Sequence, residues 1–235
     1  MLVGKKTLGT VAYMGGVMSV PEPFMWSWSQ MVEYNSDYLV EPNTKIHYDR
    51  ITASYHSYAR NELVKRIQGD WLLMLDTDHT FEPDILARML LRMTNHNIQV
   101  LTALYQYKQE PYSPKLYGWN RKNKSYWMVG DWDKNVDLME IGSAGAGCLL
   151  VKKEVFTRIE KELKEEPFDI IKPYSEDHSF FIRLKKLNIK SYCDPSIECN
   201  HLMYKSLTMD DYNKEGLKFK KYPRMGLSMK EVNYG

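Results

Sequence analysis

Trp71-Leu72-Leu73-Met74-Leu75-Asp76-Thr77-Asp78 is the stretch whose reading decides the fold. Five bulky, mostly apolar residues run straight into two carboxylates one residue apart, the pattern of a buried strand that ends at a polar rim. In open α/β sheets that rim is where ligands bind. If the chain stays extended through Asp78, both carboxylates point to the same side, because strand side chains repeat every second residue. Two adjacent carboxylates repel, and a hard divalent cation such as Mg²⁺ or Mn²⁺, shared with substrate phosphates, neutralises them through oxygen ligands. The competing reading is structural, with Asp76 capping a turn and Asp78 capping the next helix.

On the N-terminal side, Tyr58 to Gln68 carries Ala59, Leu63, Val64 and Ile67 at helical spacing, with Gly69 as a natural stop. Arg60 and Asn61 then fall near its first turn, either solvated or facing a phosphate, since Arg makes paired hydrogen bonds to phosphate and a helix N-terminus favours anions. Thr7 to Met14 reads as a first strand closed by Gly15-Gly16. These glycines allow close backbone approach to a ligand without matching the spaced fingerprint of dinucleotide folds. The segment containing Pro21, Pro23, Trp26 and Trp28 shows no assignable period. On the C-terminal side, Phe81-Glu82-Pro83-Asp84 opens a helix with Pro83 in its first position and Ile85, Leu86, Met89, Leu90 and Met93 as its buried stripe. Ile98 to Leu104 is the next strand. This alternation of strand and helix predicts right-handed crossovers and a mainly parallel sheet.

From Tyr105 to Trp132 the periodicity breaks down into Tyr, Trp, Pro, Lys and Asn, and three of the six tryptophans lie there. Two readings stand side by side: an acceptor-binding flap whose rings stack on sugars or bases, or a small antiparallel hairpin packed on the sheet. Gly142-Ser143-Ala144-Gly145-Ala146-Gly147 follows, a run that lets a ligand or another backbone come close, and then the strand Cys148 to Val151. A helix over 153–164 leads through Pro167 to Pro173 into Ser175-Glu176-Asp177-His178. Ser175 suits an N-cap, and Glu176 and Asp177 occupy the first helical turn. There the helix dipole both stabilises acidic residues and holds a carboxylate ionised as a base. Ile189 to Cys193 and Ser196 to His201 read as short strands around Asp194-Pro195. A zinc site of Cys193, Cys199 and His201 lacks the usual paired-ligand spacing. In the tail, Thr208 and Asp211 have near capping-box spacing. Lys218 to Arg224 forms a basic, aromatic run, read first as a solvated face and second as a contact for an anionic acceptor or membrane.

A length of 235 residues suits one α/β domain, with a core that needs no disulfides. Three cysteines are few and odd in number, which predicts a reducing compartment, and the chain carries neither an apolar run of membrane-spanning length nor a signal-like N-terminus, so a cytoplasmic protein is expected. A net charge of +2 does not demand a nucleic-acid partner.

Taken in order, Ala59-Arg60-Asn61, Trp71 to Asp78, Gly142 to Gly147, Glu176-Asp177 and His201 resemble the GT-A-fold glycosyltransferases, closest to the broad family-2-like group. The resemblance covers roughly residues 7 to 205, and it rests on the order and spacing of all five elements. It implies an enzyme with a Rossmann-like, mainly parallel central sheet flanked by helices, plus a small antiparallel segment. One domain would divide into a nucleotide-sugar-binding half (1–104), an acceptor and catalytic half (105–205) and a C-terminal helix and tail (206–235). The Asp-x-Asp element would hold Mn²⁺ or Mg²⁺ and the donor diphosphate, with Asp76, Asp78 and His201 as metal ligands. Tyr13, Gly15, Arg60, Asn61, Asp76, Asp78, Gly145 and Lys205 would surround the donor. Asp177 would be the general base of an inverting transfer, with Glu176 beside it. The chain departs from the family where members often carry an Ile-Pro-Thr-like turn for the nucleobase, since it reads Tyr13-Met14-Gly15-Gly16; UDP is the commonest donor base. The acceptor stays open among glycan, protein, lipid-linked sugar, small molecule and modified nucleic-acid base. Two rival classes remain at this point: a nucleotidyltransferase on a related sheet, and a non-catalytic module binding glycan or nucleic acid.

Overall fold

A computed structural model describes residues 5–15, 19–53, 55–120, 122, 125–131 and 136–203. The first part of the chain forms β1 (Lys6–Gly15), α1 (Glu22–Tyr38), β2 (Thr44–Thr52), α2 (His56–Lys65), β3 (Trp71–Asp76), β4 (His79–Phe81), α3 (Ile85–Asn95) and β5 (Val100–Leu104). There follow β6 (Leu116–Asn120), β7 (Ser125–Met128), β8 (Met139–Ile141), β9 (Ser143–Ala144) and β10 (Cys148–Lys152). The described chain ends with α4 (Lys153–Arg158), which continues as a π-helical turn over Ile159–Leu163, then α5 (Glu176–Lys186) and β11 (Ser191–His201).

Eight strands make the main sheet, in the order β2-β1-β3-β10-β5-β11-β4, with β8 added on β11. β1 pairs in parallel with β2 and β3, and β11 runs parallel to β5. The expected mostly parallel sheet is therefore present, with one reversed strand at its centre. β10 lies antiparallel between β3 and β5, its Cys148 opposite Leu75 and its Lys152 opposite Trp71. The reversal follows from where the chain arrives: the Gly142–Gly147 run reaches the sheet at the end of β3, where Asp76 N–H donates to Gly147 O at 2.8 Å, so β10 can only run back.

Alternation along the strands builds two cores, one on each face. Ala12, Leu72, Met74 and Leu149 pack with Leu63 of α2 and with Phe156, Phe180 and Leu184. Val11, Leu73, Leu75 and Leu150 pack with Phe24 and Met31 of α1 and Leu86 and Met89 of α3. The segment without an assignable period is α1. Pro23 is accommodated in its first turn, and its buried stripe of Phe24, Ser27, Met31 and Asn35 is half polar, which hid the helical spacing. α2 ends at Lys65, and Gly69 takes φ +82° in the turn that follows, where a Cβ would meet Leu8 and Gly9 backbone at 2.5 Å.

The aromatic segment resolves as the hairpin, β6 and β7 completing a three-stranded sheet with β9. The two late strands are one, β11, with an irregularity between Asp194 and Glu198. Cys148, Cys193 and Cys199 are all free and buried. Among the described residues no helix is long and apolar enough to cross a membrane. Trp132, Lys205 and the whole tail, including the Thr208–Asp211 and Lys218–Arg224 stretches, lie outside the described residues.

Candidate active site

The carboxyl ends of the parallel strands converge on one cleft of about 460 Å³, lined by Gly15, Asp76, Asp78, Tyr105, Lys115 and His201 among others. Open sheets bind ligands at this rim because loops diverge there and backbone ends are left unpaired. β3 stops at Asp76, and Thr77 and Asp78 form a turn before β4, so the chain does not stay extended through Asp78. The two carboxylates consequently meet different partners.

Asp76 is held by Arg60. The guanidinium Nη2 donates to Asp76 Oδ1 at 2.9 Å and Oδ2 at 3.2 Å, while Nη1 donates to Glu176 Oε1 at 2.5 Å. Arg60 is buried in the middle of α2, away from the first turn where sequence spacing put it. Burial opposes its charge, but Asp76, Glu176 and Asp177 outweigh that and raise its pKa. The charge of Asp76 is thus offset by an arginine on a neighbouring helix, while Asp76 still lines the cleft beside Asp78, His79 and His201.

Asp78 faces two imidazoles. β4 and β11 pair antiparallel with His79 opposite His201, and the rings stack with centroids 4.5 Å apart and planes 11° apart. His201 Nδ1 lies 2.7 Å from Gln106 O and Nε2 lies 3.2 Å from Asp78 Oδ2. A carbonyl only accepts, so Nδ1 carries the proton; a protonated ring donates from Nε2 to Asp78, and a neutral ring keeps that lone pair for a cation ligated together with the carboxylate. His79 Nδ1 is 3.1 Å from Asp78 Oδ1, yet this buried ring makes no hydrogen bond at either nitrogen, its approach to the carboxylate being out of line. The ligand atoms of Asp78, His79 and His201 lie within 4.8 Å of one another, the sole such group among the described residues. These residues fit a divalent cation. Lys108 Nζ also reaches Asp78 Oδ2, at 2.5 Å. Burial resists ionisation of Asp78, but His201, His79 and Lys108 more than offset it and hold the carboxyl far below its usual range.

Asp177, in the first turn of α5, is buried. Its Oδ1 accepts hydrogen bonds from Ser175 Oγ and from His178 N–H at 2.8 Å, while Oδ2 lies 3.7 Å from Lys115 Nζ. Ser175 sits at the N-cap position but spends its hydroxyl on this carboxylate and makes no cap bond to the backbone. Burial works to raise the Asp177 pKa, yet Ser175, the charges of Lys115 and Arg60, and the His178 N–H bring it below the ordinary value. It is ionised at neutral pH, as a base must be. Lys115 connects this carboxylate to the cleft it lines.

Of the other residues expected around the donor, Gly15 lines the cleft, and Gly145 lies behind it, where a Cβ would fall 2.1 Å from the Tyr105 hydroxyl. Gly147 is as constrained, a Cβ there lying 2.6 Å from the His79 ring. Tyr13 and Asn61 are not brought to the site. Alternation on β1 turns Tyr13 into the core against Phe24 and Trp28. Asn61 instead ties down the loop before α5, donating to Asp169 Oδ1 at 3.0 Å and accepting from Phe168 N–H at 2.8 Å. His79, Lys108 and Lys115 were missed. The signal for His79 was its place directly after Asp78; the lysines sat in the aperiodic segment, where nothing marked a direction.

A family model, "Glycosyl transferase family 2", matches residues 31–160, more than half of the chain. The chain belongs to this family. It is a glycosyltransferase, and the nucleotidyltransferase and binding-module readings fall away. No curated protein matches the sequence of this glycosyltransferase significantly. Among solved structures, A197 from STIV is similar with a TM-score of 0.56 at 19% identity, over 83% of this chain and 86% of that one. GalNAc-T7, solved with UDP, GalNAc and Mn²⁺, is similar with a TM-score of 0.59 at 11% identity, over 91% of this chain. The glycosyltransferase spans about half of the GalNAc-T7 chain, 48%. At these identities the two structures speak for the GT-A fold.

Proposed function

We propose that this enzyme transfers a sugar from a nucleoside-diphosphate sugar, UDP-linked by preference, to an acceptor hydroxyl, with a divalent cation at Asp78, His79 and His201 and with inversion at the anomeric carbon. One observation carries the reading: the Asp78–His79–His201 group and Lys115, which faces Asp177, line the same cleft. Family 2 membership supports a nucleotide-sugar donor, and the UDP and Mn²⁺ bound by GalNAc-T7 support that base and that ion. Two imidazoles beside one carboxylate favour Mn²⁺ over Mg²⁺, which prefers oxygen ligands.

The cation, when bound, offsets the charge that develops on the leaving diphosphate. The rest falls to the chain. His201 is oriented for ligation by its Nδ1–H to Gln106 O. Lys108 and Lys115 bring ammonium groups to the two sides of the cleft and attract the diphosphate. Asp177 accepts the proton of the acceptor hydroxyl at Oδ2, since Oδ1 is already held by Ser175 and the His178 N–H. Glu176 keeps Arg60 in place and so fixes the end of β3. The division into donor half (1–104) and acceptor half (105–205) belongs to this reading, supported by Asp76 and Asp78 lying in the first and Asp177 in the second.

Calorimetric titration of nucleotide-sugars with Mn²⁺ and with chelator, followed by assay for donor hydrolysis in the same samples, tests it. Binding of one nucleoside diphosphate only in the presence of metal, with slow sugar release, is the expected result. Absence of nucleotide binding under every metal condition overturns it.

A further inference from the structure

A second cleft, of about 700 Å³, lies where the β6–β7 hairpin meets the end of α5, and nothing in the transfer chemistry uses it. Its outer wall is Trp127, which stands opposite Gly118 across the hairpin. A Cβ at Gly118 would fall 2.1 Å from the indole, so the ring lies against the strand, and the residue remains 54% exposed. Trp119 also lines the cleft, with Lys185 Nζ 4.6 Å from its ring. That ammonium donates to Tyr126 Oη at 2.7 Å and to Gly142 O at 2.5 Å, which fastens the hairpin to α5 and holds the rings in place. Around these rings stand Asp131, Asn188 and the ion pair of Glu140 and Lys190, 2.7 Å apart, polar groups of both signs.

A flat apolar face bordered by hydrogen-bonding groups of mixed charge matches a sugar ring, which offers C–H on its faces and hydroxyls around its edge. The balance of signs disfavours a nucleic acid, whose recognition needs a positive surface. We infer that this cleft is an acceptor subsite that seats a sugar of a neutral oligosaccharide remote from the reacting hydroxyl. The inference rests on the proposed transfer to an acceptor hydroxyl and narrows the acceptor to an extended glycan. Position along α5 sets the length required. Asp177 lies in its first turn and Lys185, eight residues later, in its last. At 1.5 Å per residue the two are about 12 Å apart along the axis. A monosaccharide cannot occupy both places, whereas a chain of sugars can.

The test titrates the full chain, with Mn²⁺ and the nucleotide present, against cello-, malto-, chito- and manno-oligosaccharides from monosaccharide to hexasaccharide, with binding read by saturation-transfer NMR. Affinity in one series is expected to rise with length by roughly tenfold, the scale of one good ring contact. Trp127→Ala should flatten that rise, Trp127→Phe should keep most of it, and nucleotide affinity should be the same in all three proteins. Length-independent binding in every series, or a Trp127→Ala protein that matches the wild type, overturns the subsite while nucleotide binding stands. Failure of the wild type to bind nucleotide faults the proposed transfer instead, so the two failures are told apart.

Discussion

Asp76 and Asp78 are separated by one residue, yet they belong to different regions of the molecule. Asp76 ends a buried strand and is gripped by an arginine that is itself enclosed between two carboxylates. Asp78 sits in a turn, open to the cleft, against two stacked imidazoles and a lysine. In the first arrangement the arginine meets both carboxylates; in the second, the His79 imidazole makes no hydrogen bond. The difference teaches that an Asp-x-Asp pair need not act as a pair. One carboxylate is paired with a buried arginine, and the other faces the imidazoles and a lysine.

The largest effect lies outside both. Replacing Asp177 by Asn should lower transfer by about 10²- to 10⁴-fold, the usual contribution of a general base, while metal-dependent nucleotide binding persists. Unchanged turnover would remove Asp177 from the chemistry.

Two parallel substitutions separate the aspartates. Asp78→Ala should weaken Mn²⁺ affinity by at least ~100-fold, given that even groups behind a ligand change affinity by 10- to 100-fold. Asp76→Asn should leave Mn²⁺ affinity nearly unchanged but lower folding stability by about 3 kcal/mol, because Arg60 keeps its buried charge with one carboxylate fewer. Equal losses of metal affinity in the two variants, measured by Mn²⁺ electron paramagnetic resonance and denaturant melts, would erase the distinction drawn between them.

His79→Phe sharpens the description of the open region. The ring still stacks on His201, so the fold should hold, while Mn²⁺ affinity falls by at least roughly tenfold through loss of one ligand. A stable variant with wild-type affinity would limit the metal group to Asp78 and His201.

Smaller effects should appear in pH dependence. Asp177 has a depressed pKa in the folded protein, so its contribution to stability is present above the unfolded value and is lost as pH falls through the lower folded value. The acid limb of kcat/KM should accordingly lie below the ordinary carboxylate range and move upward in Ser175→Ala. Lys185 acts with the same sign in a higher range: burial brings its pKa down from 10.5 to about 7, so the unfolded chain binds more protons across that interval and stability rises with pH there. Lys185→Met should reduce that slope, read from denaturant midpoints between the two values.

Much of the fold was legible because period and burial coincide. β3 and β10 are continuous apolar runs since both of their faces are covered, and α3 shows its stripe because its other side is polar. α1 escaped because Ser27 and Asn35 share its buried side, and β2 because the chain between the first strand and Tyr58 carries few apolar anchors. In the site, the acidic residues were legible from their spacing after a strand and at a helix start. Arg60 was read as solvated or as facing a phosphate, and its pairing with Asp76 and Glu176 was not legible because a sequence does not tell whether the nearest anion comes from substrate or from the chain itself.

The sequence by itself determined a mostly parallel α/β sheet, the position of its polar rim and the carboxylates placed there, because hydrophobic period and strand ends are local properties of the chain. Only the tertiary structure decided which groups those carboxylates meet. The antiparallel seam of β4 and β11 sets His79 beside His201, the crossing of α2 behind β3 delivers Arg60 to Asp76, and the loop after β5 carries Lys108 and Lys115 to the two sides of the cleft. Each of those contacts joins residues distant along the chain, and the electrostatic role of a side chain depends on such neighbours rather than on its own identity.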